Sequence, residues 1–289
     1  MDVYIVMDME GISGVSGEAV VRVGHQEWAG RGRRLATADV NAVIDGALAA
    51  GAGRIWVKDG HAGGDQQNLL IEELNKAAEL VTGSGSVWSH MPGLDRTFDA
   101  VMLVGFHARM GTHRAQMDHT ITTAAVNEVR LNGVVVGEIG IYAAYAGTRG
   151  IPVVLVTGDL AATREATALL GDITTVSVQE AYGRFSGRLL APSEAHARIR
   201  NAATAALKRA GRPWALEPPY TVAVDFLRSA EADMAEFVPG AQRVAARTVE
   251  FTHTDYEMAF KALKAMVALG GSAAHKWATA IYTTGARVV

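Results

Sequence analysis

The chain has 289 residues, 49% hydrophobic and 20% charged, with a formal net charge of −3 and no cysteine. These values describe a globular chain of one large or two ordinary domains and exclude disulfides, thiolate metal sites and cysteine nucleophiles. No basic run is dense enough for a nucleic-acid footprint, and none approaches the roughly 18–20 uncharged apolar residues of a membrane span, so neither partner is expected.

The first element is the run VYIVMDMEGISG. Val3–Val6 reads as a short buried strand that ends in Asp8 and Glu10. Side chains alternate along a strand, so the two carboxylates point to the same side and repel. A metal ion is the commonest answer to such repulsion; a solvated acidic loop is the plain alternative. The segment from about His25 to Ala50 places Leu35, Val40, Val43, Ile44, Ala47 and Leu48 at helical spacing, with Gly51 as its stop. A second apolar run, RIWV, leads into Lys58-Asp59-Gly60-His61, and a third, AVMLVGF, leads into His107. EVRLNGV contains Asn132-Gly133, a two-residue hairpin signal, so an antiparallel excursion delivers Glu138. IGIYAAYAG reads as a helix beside Glu138, and VVLVTGD as a further strand.

The character changes after Pro192. A helix is expected from about Ser193 to Ala210, then the proline-rich connector GRPWALEPP. TVAVDFL and ARTVEFT read as strands, SAEADMAEFV and TDYEMAFKALKAMVAL as helices. The expected fold class is α/β: a mostly parallel sheet flanked by helices, with a smaller C-terminal α+β lobe. Residues 1–191 would form the α/β metal-binding catalytic domain and residues 192–289 the C-terminal lobe.

Asp8, Glu10, His61, His107 and Glu138 each lie at or just past an apolar strand-like run. In an open α/β sheet, ligand sites gather outside the carboxyl ends of the strands, so distant positions can converge on one crevice. Three carboxylates and two imidazoles suit Zn²⁺, with Mn²⁺ or Co²⁺ as other occupants. A catalytic zinc usually takes three protein ligands, so five suggest two metals sharing one carboxylate. Each residue alone has a plainer reading. A histidine after a strand is commonly a hydrogen-bonding loop residue, and Glu138 suits a helix N-terminus.

Taken together, MDMEGISG, KDGH, VGFHARM, the MDHT segment and VGEIG resemble the D-aminopeptidase (DppA-like) family of dinuclear zinc peptidases, M55, in the family's order and with nearly its spacing. The resemblance runs through VTGD and Pro239-Gly240, over most of the chain. It implies cleavage of N-terminal D-residues from short peptides. It also implies two zinc ions per chain, and a ring-like homo-oligomer for which a decamer is the candidate size. Carried over by residue, it makes Asp8 the bridging carboxylate, gives Glu10 and His61 to one metal and His107 and Glu138 to the other, and makes His119 catalytic. The family describes that histidine as a nucleophile; from chemistry alone a proton shuttle or transition-state donor is preferable.

Two departures stand out. The family commonly has Ser before this histidine, where this chain has Asp118. That carboxylate either raises the histidine pKa or points away. His113, six residues earlier, competes for the catalytic role. Asp159 in VTGDL is read as a support and not a ligand. Asp59 is either a hydrogen-bond partner of a metal ligand or a turn former before Gly60. Arg109 is a candidate receiver of a substrate carboxylate, or simply a solvated arginine.

Gly11, Gly14 and Gly17 do not match a dinucleotide loop, and such acidic company would repel a pyrophosphate. They are read as letting backbone pass close to the metal site. Ser13 and Ser16 lack a nucleophile elbow. His25, His90, His196, His253 and His275 show no partner pattern. The leading expectation is a metal-dependent aminopeptidase. The alternatives are another dinuclear amidase or phosphoesterase, or a noncatalytic binding ring. The start of the chain shows no leader pattern and the chain no cysteine, so a cytoplasmic setting is expected.

Overall fold

The computed structural model describes residues 1–61, 66–83 and 91–283, with residues 275–283 described by backbone alone; His90 lies outside these ranges. In chain order the elements of the first part are β1 (Asp2–Met7), α1 (Glu18–Val21), α2 (Arg33–Ala49), β2 (Arg54–Asp59), β3 (Ala78–Val81) and β4 (Ala100–Phe106). There follow β5 (Val126–Leu131), β6 (Val134–Val136), α3 (Glu138–Gly147), β7 (Val153–Asp159), α4 (Leu160–Leu170), β8 (Thr174–Gly183), β9 (Ser186–Leu189) and α5 (Pro192–Ala206). The last are β10 (Tyr220–Phe226), α6 (Ser229–Ala235), β11 (Gln242–Arg243), β12 (Thr248–His253) and α7 (Tyr256–Thr283).

The chain forms two compact units. The first comprises Met1–Ala108, Thr112–Asp118 and Glu138–Ala215. Its sheet has the order β3-β2-β1-β4-β7-β8-β9, parallel except for the antiparallel β9. β1, β4 and β7 are apolar runs buried almost end to end. That is the pattern of parallel strands covered on both faces, and it confirms the expected fold class. β2 and β3 lie on one side of β1, and β4 on the other. The strand order therefore reverses between β1 and β4, which opens the switch-point crevice of such sheets at their carboxyl ends.

The helix expected from about His25 begins with a π-helical turn at Trp28–Gly32 and continues as α2 to Ala49, with Gly51 at φ +88° just past its end. α3 is buried along nearly its whole length, as its apolar sequence requires.

The second unit comprises Arg109–Gly111, His119–Gly137 and Leu216–Val289. Its antiparallel sheet has the order β11-β12-β10-β5-β6. Asn132 and Gly133 turn between β5 and β6 with φ of +47° and +81°, as the dipeptide predicts. Val222, Val224 and Phe226 of β10 are buried, as are Phe260, Leu263 and Met266 of α7.

These units divide the chain differently from the 191/192 boundary expected from composition. α5 belongs to the first unit because it packs on α2. Gly46 lets the two helices meet closely, since a Cβ there would lie 2.3 Å from the Arg200 carbonyl, and Thr204 Oγ1 donates to Gly46 O at 2.9 Å. The β5–β6 hairpin belongs to the second unit because β5 pairs with β10. Among the described residues no helix is long and apolar enough to cross a membrane.

Candidate metal centre

All five expected ligands lie in the first unit, and the sheet brings them together. Asp8 follows the last residue of β1 and His107 the last residue of β4. Asp8 N donates to Val104 O and Gly11 N to Gly105 O, both at 2.8 Å, so the two strand ends are tied to each other. Gly11 is required here: a Cβ would lie 2.1 Å from the Phe106 carbonyl. Gly105, with φ +75°, takes a left-handed turn that brings its own backbone against Asp8 O. Gly17, by contrast, has open space around it. His61 comes two residues after β2, and Glu138 is the first residue of α3.

Asp8 stands between two imidazoles. Its Oδ1 is 3.2 Å from His61 Nδ1, and its Oδ2 is 3.3 Å from His107 Nε2. Glu10 Oε2 lies 3.3 Å from His61 Nδ1, and Glu138 Oε1 lies 3.5 Å from His107 Nε2. Donor atoms of Asp8, Glu10 and His61 all fall within 4.8 Å of one another. Asp8 and Glu10 are each 5% exposed and His107 1%.

Each imidazole is oriented from behind. His107 Nδ1 faces the Ala108 carbonyl at 2.9 Å, and His61 Nε2 faces the Val21 carbonyl at 3.2 Å. A carbonyl only accepts, so these outer nitrogens carry the hydrogen, and in the neutral ring the inner nitrogen is a lone pair. Lone pairs facing carboxylate oxygens repel unless a proton or a metal stands between them. Asp8 Oδ2 and Glu10 Oε2 are buried and accept no hydrogen bond among the described residues. Three carboxylates, two imidazoles and two buried acceptors without donors form a set that zinc ions fit.

The electrostatics give the same result with protons. Burial alone would lower the His61 pKa, but the Glu10 and Asp8 carboxylates lift it well above the ordinary imidazole value. His107 is likewise raised by Asp8 and Glu138 against its burial. Burial would raise Asp8, but the His107 and His61 imidazoles facing it, when protonated, hold it well below the usual carboxylate range. Tyr142 of α3 packs edge-on against Phe106 with ring centroids 5.4 Å apart. Burial first, then the charges of Glu138 and Asp8, push its phenol pKa well up, so it stays protonated.

The supporting residues act differently from one another. Asp59 accepts from the backbone of Asn68 and Leu69 and from Asn68 Nδ2, and Asn68 Nδ2 also donates to the His61 carbonyl at 3.0 Å. Asp59 therefore anchors the loop that carries His61 and does not orient its ring. Asp159 caps α4 through Ala162 N at 2.9 Å and accepts Gln116 N at 2.9 Å. Ser13 is buried, with N and Oγ donating to Asp39 at 2.8 and 2.5 Å, so it is no free nucleophile. His113 is exposed. Asp118 has its carboxylate on Arg184. His119 opens the His119–Gly137 segment of the second unit, and Arg109 lies in the same unit.

Sequence reasoning missed three supports. Asp39 pairs with His196 Nε2 at 3.1 Å besides Ser13; its signal was a charge on the buried face of α2, beside Ala36, Val40 and Val43. Gln179 Nε2 donates to Glu10 O at 3.1 Å, and Arg184 holds Asp118; neither had a sequence signal.

The sequence model of the D-aminopeptidase family, Peptidase M55, matches residues 1–265. A D-aminopeptidase of Bacillus subtilis (strain 168) is 31% identical over 272 residues, covering 93% of this chain and 97% of the relative. A solved structure described as the Zn-dependent D-aminopeptidase DppA from Bacillus subtilis, a self-compartmentalizing protease, superposes with a TM-score of 0.89 at 30% identity. That superposition covers 93% of this chain and 98% of the other. With a strand-end cluster suited to zinc, a matching fold and a match along nearly its whole length, the chain belongs to the D-aminopeptidase family.

Proposed function

We propose that this protein is a zinc-dependent D-aminopeptidase that hydrolyses short peptides at an N-terminal D-residue, with Asp8, Glu10, His61, His107 and Glu138 holding two zinc ions. The observation that carries this reading is Asp8, whose two oxygens face different imidazoles at 3.2 and 3.3 Å. Glu10 and His61 would complete one site with Asp8, and His107 and Glu138 the other. When bound, the zinc pair supplies Lewis-acid polarisation of the scissile carbonyl and lowers the pKa of water to about 7.

The chain's own residues prepare that chemistry. The Val21 and Ala108 carbonyls fix His61 Nε2 and His107 Nδ1, so that the other nitrogen of each ring faces the carboxylates. The free amine of the substrate needs a carboxylate or a metal to receive it. His119 is assigned the movement of a proton to the leaving amine or donation to the developing oxyanion, on the strength of its MDHT motif. Self-association into a ring, with a decamer as the candidate size, belongs to the same proposal. The self-compartmentalizing description of the Bacillus relative supports it. A cytoplasmic setting, compatible with a cysteine-free chain, is part of the same proposal.

Elemental analysis of protein purified without chelator or metal-binding tag tests the ligand set, and a substrate panel tests the reaction. About two zinc ions per chain and turnover of D-alanyl peptides are expected. No metal, with no activity on adding Zn²⁺, Mn²⁺ or Co²⁺, would overturn the reading. Faster turnover of a phosphate ester than of any peptide would replace the peptidase with a phosphoesterase.

A further inference from the structure

The segment Thr112–Asp118 has no strand or helix of its own, yet its backbone is unusually constrained. Arg114 and Met117 adopt φ of +54° and +46°, and Ile121, just past His119, adopts +65°. Non-glycine residues enter this left-handed region at a cost and stay there only where their surroundings hold them. Gln116 N donates to Asp159 Oδ2 at 2.9 Å, and Gln116 Nε2 to Ser16 O at 2.7 Å. The next two residues are both held by Arg184. Met117 N donates to the Arg184 carbonyl at 3.0 Å. The Arg184 guanidinium donates through Nη1 to both the carbonyl and the carboxylate Oδ1 of Asp118.

The Asp118 carbonyl belongs to the peptide plane whose nitrogen is that of His119. That plane is rigid, so a donor fixed on the carbonyl fixes the direction in which the His119 backbone sets out. Arg184 suits the task. It sits in the tight turn between β8 and β9, and its guanidinium lies over the Phe185 ring, 5.6 Å from the centroid. Its Nη1 carries two N–H donors held in the guanidinium plane, whereas those of a lysine ammonium rotate freely. A surface ion pair would need only the carboxylate. Here one side chain takes the carbonyl and the carboxylate of the same residue, while its own carbonyl takes the preceding N–H.

We propose that Arg184 is a positioning residue for the reaction: through Asp118 it sets the orientation of His119. This rests on the reading of His119 as the catalytic histidine. It assigns the Asp118 carboxylate to Arg184.

The test uses the zinc-loaded full chain with D-alanyl-D-alanine as substrate, measuring kcat, KM and zinc per chain for Arg184→Ala, Arg184→Lys, Asp118→Ser and His119→Ala. Arg184→Ala is expected to lower kcat by about 10- to 100-fold with KM changed by less than about threefold and the zinc content kept. Arg184→Lys should fall between Ala and the parent. Millimolar guanidinium should restore part of the activity of Arg184→Ala, which a general loss of folding would not allow. Asp118→Ser leaves the carbonyl contact in place and should lose less than Arg184→Ala. If Arg184→Ala fails to fold, the Lys and Ser variants still decide, because parental kcat in both would overturn the proposal. Parental kcat in Arg184→Ala while His119→Ala is inactive would overturn the positioning role alone. Loss of zinc in parallel with activity would also overturn it, making Arg184 a support of the metal cluster. Parental kcat in His119→Ala would remove the reading on which the proposal stands.

Discussion

Asp8 and His107 stand one residue past parallel strands whose ends are hydrogen-bonded to each other, whereas Gln116, Met117 and Asp118 lie on a segment with no ladder, held by Asp159, Ser16 and Arg184. In the first region the sheet does the positioning. Asp8 and His107 need only occupy the next place after a strand, and a close-packed backbone fixes them. In the second region individual side chains do the positioning, against left-handed backbone that resists it. A site on strand ends is rigid as long as the sheet is; a site on a tethered loop depends on each tether. Substitutions should therefore divide into those that remove zinc and those that slow turnover with zinc in place.

The largest effect is expected at Asp8, the carboxylate that faces both imidazoles. Asp8→Asn replaces an anion that faces both imidazoles with a neutral group. It should reduce zinc below one ion per chain and lower kcat/KM by more than the about 10- to 100-fold typical of outer partners of a metal ligand. A variant that kept parental zinc content and rate would break the strand-end half of the comparison.

Removal of zinc by chelation is next. A ligand at about 1,000 times its Kd stabilises the folded state by about 4 kcal/mol, so chelated protein should melt several degrees lower. The gap should widen with pH. In the metal-free protein the pKa values of His61 and His107 are raised above their unfolded value. Their protonation therefore contributes stability fully below about pH 6.5 and loses it as pH rises through the raised folded values. Zinc needs the same nitrogens unprotonated, so its advantage grows in the direction in which the proton's declines. Melting curves with and without chelator from pH 6 upward would test this. A gap that shrinks with rising pH would contradict it.

Gly11→Ala perturbs the strand ends without touching a ligand. Its Cβ would lie 2.1 Å from the Phe106 carbonyl, so backbone has to move between Asp8 and His107. A cost of about 1–3 kcal/mol is expected, together with weaker zinc binding. Destabilisation with unchanged zinc affinity would mean that the cluster tolerates movement of the strand ends better than a rigid sheet implies.

The same division explains what could be foreseen. Asp8, His61 and His107 were legible because strands announce themselves as apolar runs, and in an open α/β sheet the place after a strand end has chemical meaning. Asn132-Gly133 was legible because two consecutive residues at positive φ select those residue types. The extent of the units was not, because the partnerships of α5 with α2 and of β5 with β10 are long-range and leave no local pattern. Arg184 was illegible for the same reason. It lies 66 residues from Asp118, on a hairpin whose only local signal is its turn. Asp118 was visible as a departure from the family motif, and the charge that accounts for it came only with the fold.

The smallest effect separates the two jobs of Asp159. Its Oδ1 caps α4 through Ala162 N, and its Oδ2 accepts Gln116 N. Asparagine has one acceptor oxygen where aspartate has two, and it is as good as aspartate at a helix N-cap. Asp159→Asn should therefore keep the cap but give up the tether on Gln116, leaving that buried N–H without its acceptor at a cost of about 1–3 kcal/mol. Asp159→Ala loses both and should cost a further ~0.5–2 kcal/mol. If the segment before His119 is held by separate tethers, the Asn variant melts a few degrees below the parent, binds zinc like the parent and turns over more slowly, by less than Arg184→Ala. A parental kcat in Asp159→Asn would place the whole constraint on Arg184, because the Gln116 tether would then be dispensable while the Asp118 peptide plane remained fixed.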